Sequence, residues 1–348
     1  MCNLRLKLVF RDAISLSGRW FLPVIQLKDT KQNTTTIECL TSITTQKWKP
    51  FRLKLLIIFN PNAAHGRSVK RLTAIRELFI GRGIEAKFTP TTHARHAREL
   101  VASTRLLDYD GLVAAGGDGT VFEVLNGLYQ HPKPKRIPMG LLPMGTGNAF
   151  SRELHLEEDS LGAAIDLIHR GRTRQVDVGY VQSADRSFYF VNIVSMGFAV
   201  DAGLSAQKMK ALGKAAYTLA TLWQVLKLKS YPLEMELDGK VITSDNVFVT
   251  ISNSRFTGTH FLIAPDAEID DGQLDVTFLE KLPRSRLLKL FPTIYSGRHV
   301  EYPEISTCRA TQINIRSPEG LLLGPDGEFS GHSPVKVSCI PRDLTIFS

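Results

Sequence analysis

The feature that most constrains this chain is an apolar strand that ends in a glycine-rich loop and passes directly into a helix, GLVAAGGDGTVFEVLNGL. The loop consists of Gly116, Gly117, Asp118, Gly119 and Thr120. Its glycines let the backbone approach a ligand closely, and the helix that follows presents free N–H groups that can hold phosphate oxygens. A plain glycine turn with an N-capping aspartate is the competing interpretation. The loop therefore indicates either a phosphate site on a parallel α/β sheet or an ordinary turn.

Two further loops have the same strand-to-helix character, NPNAAHGRS at 60–68 and PMGTGNAFSREL at 143–154. In the second loop, Thr146 lies between two glycines at a helix start, where amides and a hydroxyl can meet an anion. In the first, Asn60 opens a turn and Gly66 frees the backbone before a helix. Each loop alone is more often a turn than a site. Loops on consecutive strands of one sheet, however, build one crevice, which favours a ligand site.

Hydrophobic periodicity divides the chain into two halves. From about residue 53 to 130, short apolar runs alternate with helical segments, which is typical of parallel βα units. The run LKLLIIF at 53–59 predicts a buried strand, and the apolar spacing over 68–83 predicts a helix. After about residue 177, the runs are β-branched or alternating and are separated by turn residues, with helical stretches at 201–229 and 283–297. Among these runs, YFVNIV, VKVSCI and LTIF each predict one strand. We therefore expect an α/β half followed by a mostly β half.

Three groups of carboxylates occur in the second half. They are Asp177 in QVDVG; Asp266, Glu268, Asp270, Asp271 and Asp275 in APDAEIDDGQLDV; and Asp326 and Glu328 in GPDGEF. Asp–Gly pairs are the commonest signal of a short hairpin turn, so a structural role competes at each. Phosphoryl transfer needs oxygen ligands for a hard cation and a carboxylate near the acceptor hydroxyl. These acids are the downstream groups placed for either task.

Several other classes of protein are excluded by the motifs that the sequence lacks. It contains no GxxxxGK[ST] loop, no complete GxGxxG with a downstream acid, no GxSxG elbow and no CxxC pair. No apolar run approaches the roughly 20 residues of a bilayer span. The first residues lack the apolar core of a secretory signal. We expect a reduced, cytoplasmic protein.

The basic excess is concentrated at the amino terminus. The chain carries a net charge of +9, and residues 1–55 hold ten basic and three acidic side chains. The remainder is nearly neutral, which argues against a nucleic-acid groove. A second basic segment, 201–233, has five lysines and no acid after Asp201, with Trp223 and several aliphatic residues at helical spacing. It suits either a transient contact with an anionic membrane surface or an ordinary core-facing helix.

The five motifs NPNAAHG, GGDGTVFEVLNGL, PMGTGNAFSREL, APDAEIDDGQLDV and GPDGEF resemble, in order and spacing, the diacylglycerol kinase catalytic-domain family. That family includes bacterial lipid kinases and the sphingosine and ceramide kinases. The resemblance runs from about Leu53 to Phe347. The GGDGT loop alone is not specific, because NAD kinases and phosphofructokinases share a related loop. The later DDG and DGE segments make the resemblance specific.

The resemblance implies an α/β plus β fold, with an N-terminal α/β nucleotide-binding domain, a C-terminal β-sandwich-like domain and ATP in the cleft between them. It implies a basic extension over 1–52, an ATP-binding domain over 53–176 and a mainly β lipid-binding domain over 177–348, whose last residues can return to the first domain. The implied activity is Mg²⁺-dependent transfer of the γ-phosphate of ATP to a hydroxyl of a diacylglycerol-like or sphingoid-type lipid.

The resemblance also implies roles for individual residues. The nucleotide would be bordered by Asn60, Gly66, Thr91, Gly116, Gly117, Asp118, Gly119, Thr120 and Thr146. Asp118 would also act in catalysis and, with Asp177, organise Mg²⁺ through water. Asp326 would be the base for the lipid hydroxyl, with Glu328 beside it. Asp271, with the backbone carbonyls of Glu268 and Gln273, resembles a structural Mg²⁺ site of bacterial members.

Two positions depart from the family pattern. Ala149 follows the GTGN loop where many diacylglycerol kinases have an acid, and this shifts the expected acceptor towards a sphingoid-type or other lipid. Arg95 stands where the family usually has glycine. An NAD-kinase-like small-molecule kinase and a non-catalytic lipid- or nucleotide-binding protein remain as alternatives. The sequence leaves open whether the protein is a homodimer or whether it sits peripherally at the inner face of a membrane.

Overall fold

The structure is a computed structural model that describes residues 53–156, 160–208, 220, 223–258, 260–326 and 328–348. The basic extension predicted over 1–52 lies outside the described residues, as does part of the predicted helix over 201–229. Two compact units divide the chain at residue 50, and the description below concerns the second unit alone.

The strands are β1 (Lys54–Phe59), β2 (Glu85–Pro90), β3 (Gly111–Gly116), β4 (Met139–Pro143), β5 (Thr173–Ser183), β6 (Ser187–Phe190), β7 (Ile193–Gly197), β8 (Tyr231–Leu237), β9 (Lys240–Ser252), β10 (Phe256–Thr257), β11 (Phe261–Leu262), β12 (Leu274–Glu280), β13 (Ile305–Ala310), β14 (Gln312–Arg316), β15 (Gly324–Pro325) and β16 (Val335–Phe347). The α-helices are α1 (Arg67–Gly81), α2 (His96–Ser103), α3 (Asp118–Leu128), α4 (Ala149–Glu153), α5 (Leu161–His169), α6 (Phe198–Lys208) and α7 (Arg284–Leu290), and residues 223–226 are also helical. Short 3₁₀ helices lie at Ala63–Gly66, Leu106–Asp108, Lys133–Lys135, Phe291–Ser296 and Arg298–Glu301.

The first lobe is a parallel sheet in the order β2-β1-β3-β4. Its strands β1, β3 and β4 are buried along nearly their whole length, as expected for parallel strands covered by helices. Because all four strands run the same way, the loops after β1, β3 and β4 emerge at one edge. This edge is where a doubly wound sheet binds its ligands.

The second lobe is antiparallel and sandwich-like. Its strands follow the order β13-β12-β9-β8-β14-β16, with β7 bridging β9 and β15 and with β5 joining β16 to β6. Val181, Met196, Val249, Val276 and Ile313 are among the residues of its core, which is separate from the core of the first lobe. The expected α/β plus β fold is confirmed.

The two sheets are continuous through the last strand. β16 pairs with β14 and β5 in the second lobe and then meets β4 in parallel, with Ile346 opposite Met139. Its Leu344, Ile346 and Phe347 belong to the core of the first lobe. β5 in turn runs through position 177, where the sequence placed a domain boundary.

Candidate active site

The glycine loops after β3 and β4 lie back to back. The Met144 amide donates to the Gly116 carbonyl at 2.9 Å, which keeps the two strands paired to their ends. Beyond that point Gly117 and Gly145 approach so closely that a Cβ on Gly145 would overlap the Cα of Gly117. Both glycines are therefore needed for the approach of the two backbones. The crevice expected from consecutive strand ends is present.

The first loop joins them from β1. The Asn60 side-chain amide donates to the Thr120 hydroxyl at 3.0 Å, and the Asn60 backbone N–H donates to the Ala115 carbonyl at 2.9 Å. Gly66 precedes α1 with φ of 80°, a left-handed conformation that favours glycine. Asn60, Gly66 and the GGDGT loop thus line the same edge of the sheet.

Thr91 and Thr146 differ in exposure. Thr91 is buried after β2, and its N–H donates to the Phe59 carbonyl at 2.8 Å. Thr146 is exposed at the tip of its loop. Arg95 has φ of 68°, so this position keeps the backbone conformation for which glycine is suited.

Asp118 is positioned by the start of α4. Its Oδ1 accepts a hydrogen bond of 2.7 Å from the Ala149 N–H, and its Oδ2 faces Gly147 so closely that a side chain there would collide with it. Close packing of protein around this partly exposed carboxyl raises its pKa to about 6, against the lowering effect of the α4 amides. Ala149, the departure from the family pattern, contributes its amide to the site.

Asp326 comes from the other lobe and meets Asp118. Its N–H donates to the Ile193 carbonyl at 2.9 Å, and its Oδ1 accepts from the Ile193 N–H at 2.8 Å. Its φ of 44° is left-handed, so the turn aims the carboxyl inward. Burial, and then the nearby charge of Asp118, raise the pKa of Asp326 to about 7.

The second oxygen of Asp326 lacks a protein partner. Oδ2 is buried and has no hydrogen bond, although Asp326 is only 2% exposed. Glu328 lies next to the pair, exposed, with Oε1 against Gly119. The structure therefore brings together Asp118, Asp326 and Glu328 at the mouth of the glycine loops.

Asp177 lies elsewhere. Its carboxylate accepts hydrogen bonds from the Gly272 N–H at 2.6 Å and from the Arg342 N–H at 2.7 Å, and its charged neighbours are Asp270 and Asp271. Burial raises its pKa. Both its oxygens are thus engaged by backbone amides in the second acidic group, and a role for Asp177 beside Asp118 in organising Mg²⁺ through water stays a prediction. The contacts also give Asp177 a structural role, because it holds the Gly272 and Arg342 backbones together.

Asp271 has the geometry of a partly satisfied ligand. Its Oδ1 accepts from the Gln273 N–H at 2.9 Å, whereas its Oδ2 is buried without a hydrogen bond and lies 3.6 Å from Arg309. Glu268 is exposed beside it. Among the residues that the structure describes, no three His, Cys, Asp and Glu side chains converge as a metal cluster. A single carboxylate with backbone carbonyls, as the resemblance implies here, is a different kind of site from such a cluster.

Sequence reasoning missed the residues that tie α4 to the second lobe. Arg152 donates to the carbonyls of Gly147 at 2.8 Å and Gly258 at 3.3 Å. Glu153 accepts from the Arg255 backbone N–H at 2.8 Å and from its Nε at 3.1 Å. The available signal was two charged residues directly after a predicted phosphate loop, where an exposed helix face is the ordinary interpretation.

A polar cavity of about 870 Å³ opens beside this tie, and its lining includes Glu153, Arg174, Arg255, Asp275 and Thr277. Neither Asp118 nor Asp326 lines it. We place the chemistry at Asp118 and Asp326 rather than in this cavity, because these two carboxyls adjoin the phosphate-type loops.

Replacing Asp177 with alanine is expected to destabilise the protein by about 3 kcal/mol, because the buried amides of Gly272 and Arg342 lose their acceptors. Urea unfolding measures the change, and Asp177→Asn, which keeps one acceptor oxygen, is the milder control. A large loss of activity in Asp177→Asn at unchanged stability would instead favour the cation role.

A parallel α/β lobe with stacked glycine loops, facing a β lobe that supplies a buried carboxylate, defines a phosphotransferase. Comparison with known proteins agrees. Residues 54–181 match the diacylglycerol kinase catalytic domain, and residues 192–348 match the YegS C-terminal NAD kinase beta sandwich-like domain.

Curated relatives are similar over most of the chain. A diacylglycerol kinase of Mycobacterium tuberculosis (strain CDC 1551 / Oshkosh) is 32% identical over 296 residues, covering 84% of this chain and 94% of the relative. A diacylglycerol kinase of Bacillus subtilis (strain 168) is 29% identical over 280 residues, covering 80% and 90%. The crystal structure of a proposed diacylglycerol kinase from Bacillus anthracis str. Sterne superposes with a TM-score of 0.70 at 27% identity, covering 84% and 94%. The chain belongs to the diacylglycerol kinase family.

Proposed function

We propose that the protein is an ATP-dependent lipid kinase that transfers the γ-phosphate of ATP to a hydroxyl of a diacylglycerol-like or sphingoid-type lipid. The observation that carries this proposal is the Asp326 carboxyl, which is buried, has one free oxygen and a raised pKa, and adjoins the glycine loops. A carboxylate with these properties can accept a proton from a hydroxyl as the new P–O bond forms. The breaking bond is the one between the γ-phosphorus and its bridging oxygen, and ADP leaves.

The glycine loops supply the groups that would bind the phosphates of ATP. The amides of Gly117 and Gly119 lie at the start of α3, where backbone N–H groups favour phosphate oxygens, and Thr146 lies in the loop before α4 on the same sheet edge. The Asn60–Thr120 hydrogen bond fixes the third loop against the same edge. Phosphoryl transfer requires of a protein mainly that it positions the phosphates, and these loops would position them next to the carboxylate that accepts the proton.

The site fits Mg²⁺. The partly exposed Asp118 carboxyl at the start of α3 offers an oxygen ligand for the ion, whereas the buried Oδ2 of Asp326 remains to accept the hydroxyl proton. Mg²⁺ is usually held by one or two carboxylates with waters and substrate phosphates. Bound there, it would neutralise charge on the transferring oxygens. Asp271 Oδ2 offers a second, separate oxygen for a structural ion.

The acceptor class is the finer part of the proposal. The names of the relatives favour diacylglycerol, while Ala149, which removes an acid after GTGN, favours a sphingoid-type or other lipid. A lipid acceptor also implies contact with an anionic membrane surface from the cytoplasmic side. Within the part of the chain that the structure covers, no helix is long and apolar enough to cross a bilayer.

Turnover of ATP against diacylglycerol, monoacylglycerol, sphingosine, ceramide and phosphatidylglycerol in mixed micelles tests the function. We expect phosphorylated lipid with one of them and dependence on added Mg²⁺. Phosphorylation of NAD instead would establish the small-molecule kinase, and ATP binding without any product would establish the non-catalytic alternative.

The pH dependence follows from the raised pKa of Asp326. The base works when ionised, so kcat/KM is expected to rise with pH through an apparent pKa near 7 and to fall on the acid side. Because Asp118 titrates beside Asp326, the apparent pKa of this kcat/KM profile belongs to the two carboxyls together rather than to one residue. A profile measured from about pH 5 to 9 at saturating Mg²⁺ shows the limb, and a flat profile would contradict the assignment.

A further inference from the structure

A short segment between β6 and β7 connects the helix of the GGDGT loop with the proposed base. Residues 189–193 comprise the end of β6, the start of β7, and Val191 and Asn192, which belong to neither strand. Residues 190–193 are buried. Buried backbone groups that lie outside a strand ladder need other hydrogen-bond partners. The groups that supply these hydrogen bonds therefore fix the position of residues 189–193, which we call the β6–β7 junction.

The far end of the junction holds Asp326. The Ile193 N–H donates to Oδ1 of Asp326 at 2.8 Å, and the Asp326 N–H donates to the Ile193 carbonyl at 2.9 Å. Burial raises the pKa of Asp326, and the N–H groups of the junction oppose that rise. A displacement of the junction would therefore displace the proposed base and the groups that stabilise its charge.

The near end of the junction is held by Asn126, a buried side chain of α3. Its Nδ2 donates to the Tyr189 carbonyl at 2.8 Å, and its Oδ1 accepts from the Tyr189 N–H at 2.9 Å. β5 pairs with the other edge of β6 at this residue, with Tyr180 opposite Tyr189. Asn126 thus takes the place of a neighbouring strand, and it joins the helix that begins at Asp118 to the segment that holds Asp326.

A second buried asparagine holds the middle of the junction. Asn253 directly follows β9, and its Nδ2 donates to the Val191 carbonyl at 2.9 Å and to the Asp177 carbonyl at 3.1 Å. The Asn253 backbone N–H donates to the Asn192 carbonyl at 2.8 Å. Two side-chain amides therefore fix the junction from opposite lobes, Asn126 from the first and Asn253 from the second.

We infer that Asn126 and Asn253 are positioning residues for phosphoryl transfer, and this inference rests on the proposed lipid kinase function. Their hydrogen bonds go to the backbone of the junction, so they act on the reaction through Asp326. Asn126 matters most, because it sets the position of the base relative to the helix that carries the phosphate-type loop. A misplacement of about 1 Å in a catalytic group can lower a rate by about 10²-fold. Loss of either amide should therefore lower turnover without removing a group that contacts substrate.

Asn126→Ser removes the bridge to the junction and spares the helix. Asn126 Nδ2 also donates to the Phe122 carbonyl at 2.9 Å, and a serine hydroxyl can replace that bond within its own helix but is too short for Tyr189. We expect kcat with diacylglycerol or sphingosine, whichever the wild type phosphorylates, to fall about 10- to 10²-fold. The KM for ATP should stay within about two-fold of the wild-type value, because Val124 and Leu125 keep α3 packed in the core of the first lobe.

Combining this change with Asp326→Asn distinguishes positioning from a general structural role. If Asn126 acts through Asp326, Asn126→Ser should lower kcat by less than about two-fold in the Asp326→Asn background, because the effects of coupled residues are not additive. Asn253→Ser is expected to behave in the same way, and it supplies the test should Asn126→Ser fold poorly. An equal loss of kcat in both backgrounds would overturn the inference.

Asn246 supplies a matched control. It is as buried as Asn126, at 1% against 4% exposed, but its Nδ2 donates to Ser244 within β9. Asn246→Ser should keep kcat at the wild-type level. A loss equal to that of Asn126→Ser would show that turnover depends on any buried asparagine, which would contradict a particular role of the junction.

Hydrogen exchange of the backbone amides in residues 189–193 tests the same contacts without substrate. Exchange should be about ten-fold faster or more in Asn126→Ser and unchanged in Asn246→Ser, because opening of the junction exposes its amides. Unchanged exchange in Asn126→Ser would overturn the inference. A wild type that phosphorylates no lipid would reject the proposed function instead, and the exchange rates would still decide whether Asn126 holds the junction.

Discussion

Asp326→Asn is expected to lower kcat by about 10²- to 10⁴-fold, the range that a positioned general base contributes. The amide keeps an oxygen that can accept from the Ile193 N–H, so the loop geometry survives while the proton acceptor is lost. ATP affinity should change little. Single-turnover kinetics with ATP and the preferred lipid, alongside equilibrium binding of ATP, measure both. Near-normal turnover in this variant would reject Asp326 as the base.

The same variant is expected to be at least as stable as the wild type. The pKa of Asp326 is raised from 3.8 to about 7 in the folded state, so the folded protein binds the proton more tightly than the unfolded chain. The ionised carboxylate therefore costs stability as pH rises through that range, by up to about 4 kcal/mol above pH 7 in the absence of ligands. Thermal unfolding at pH 8 should show Asp326→Asn unfolding no earlier than wild type.

Asp238 offers a matched control for this pair of expectations. It is also an aspartate with left-handed backbone, at φ of 46°, but hydrogen bonds from Thr311 and Gln312 lower its pKa. Asp238→Asn should keep full turnover, whereas Asp326→Asn loses it. Asp238→Asn should also lose some stability, whereas Asp326→Asn should not. A gain of stability in both variants would show that removing any aspartate charge is sufficient.

Gly145→Ala is expected to lower kcat/KM by about 10²-fold or more, because a Cβ there overlaps the Cα of Gly117 and forces the two phosphate-type loops apart. The displaced amides would no longer converge on one anion. Steady-state kinetics with varied ATP should show the loss in both KM for ATP and kcat, since the same loops position the nucleotide and the transferring phosphate.

Gly162→Ala controls for the chemistry of the substitution. Gly162 lies in α5, and a Cβ there meets nothing within 4 Å. Activity should stay at the wild-type level, and helix propensity should stabilise the protein by about 0.5–1 kcal/mol. Full activity of Gly145→Ala would mean that the loops tolerate separation, which would contradict a shared phosphate crevice.

The first lobe could be predicted from the sequence almost element by element. The segment LKLLIIF becomes β1 at Lys54–Phe59, and the helix expected over 68–83 runs from Arg67 to Gly81. Buried parallel strands and amphipathic helices each have a local hydrophobic period, and the glycine loops mark their junctions. Local signals are sufficient there because each element neighbours the next in sequence.

The second lobe was harder, because its strands pair over long separations. YFVNIV was one predicted strand, but Asn192 breaks it into β6 and β7, which join different partners. VKVSCI and LTIF were two predicted strands, but they form the single β16 with an irregularity between Ile340 and Leu344. Hydrophobic alternation shows which side chains of a strand face the core, but it does not show which strand lies beside it. The strand order therefore could not be predicted from the sequence.

The site shows the same division. Asp118 and the loop glycines follow from local sequence, since they occupy the ends of predicted strands. The meeting of Asp118 with Asp326 depends on β15 pairing with β7, with Pro325 opposite Val194. Nothing near GPDGEF specifies that partner, and Asp177 illustrates the converse, an acid whose neighbours are set by the return of Arg342 on β16.

The return of β16 also determines when the protein can finish folding. Leu344, Ile346 and Phe347 complete the core of a lobe whose other strands are made some 200 residues earlier. During synthesis, the edge of β4 therefore stays open until residues 344–347 have left the ribosome. A gene fragment that stops between the two matched domains would yield a sheet without its final strand. The first lobe is thus synthesised early, but its sheet is completed only when β16 has been made.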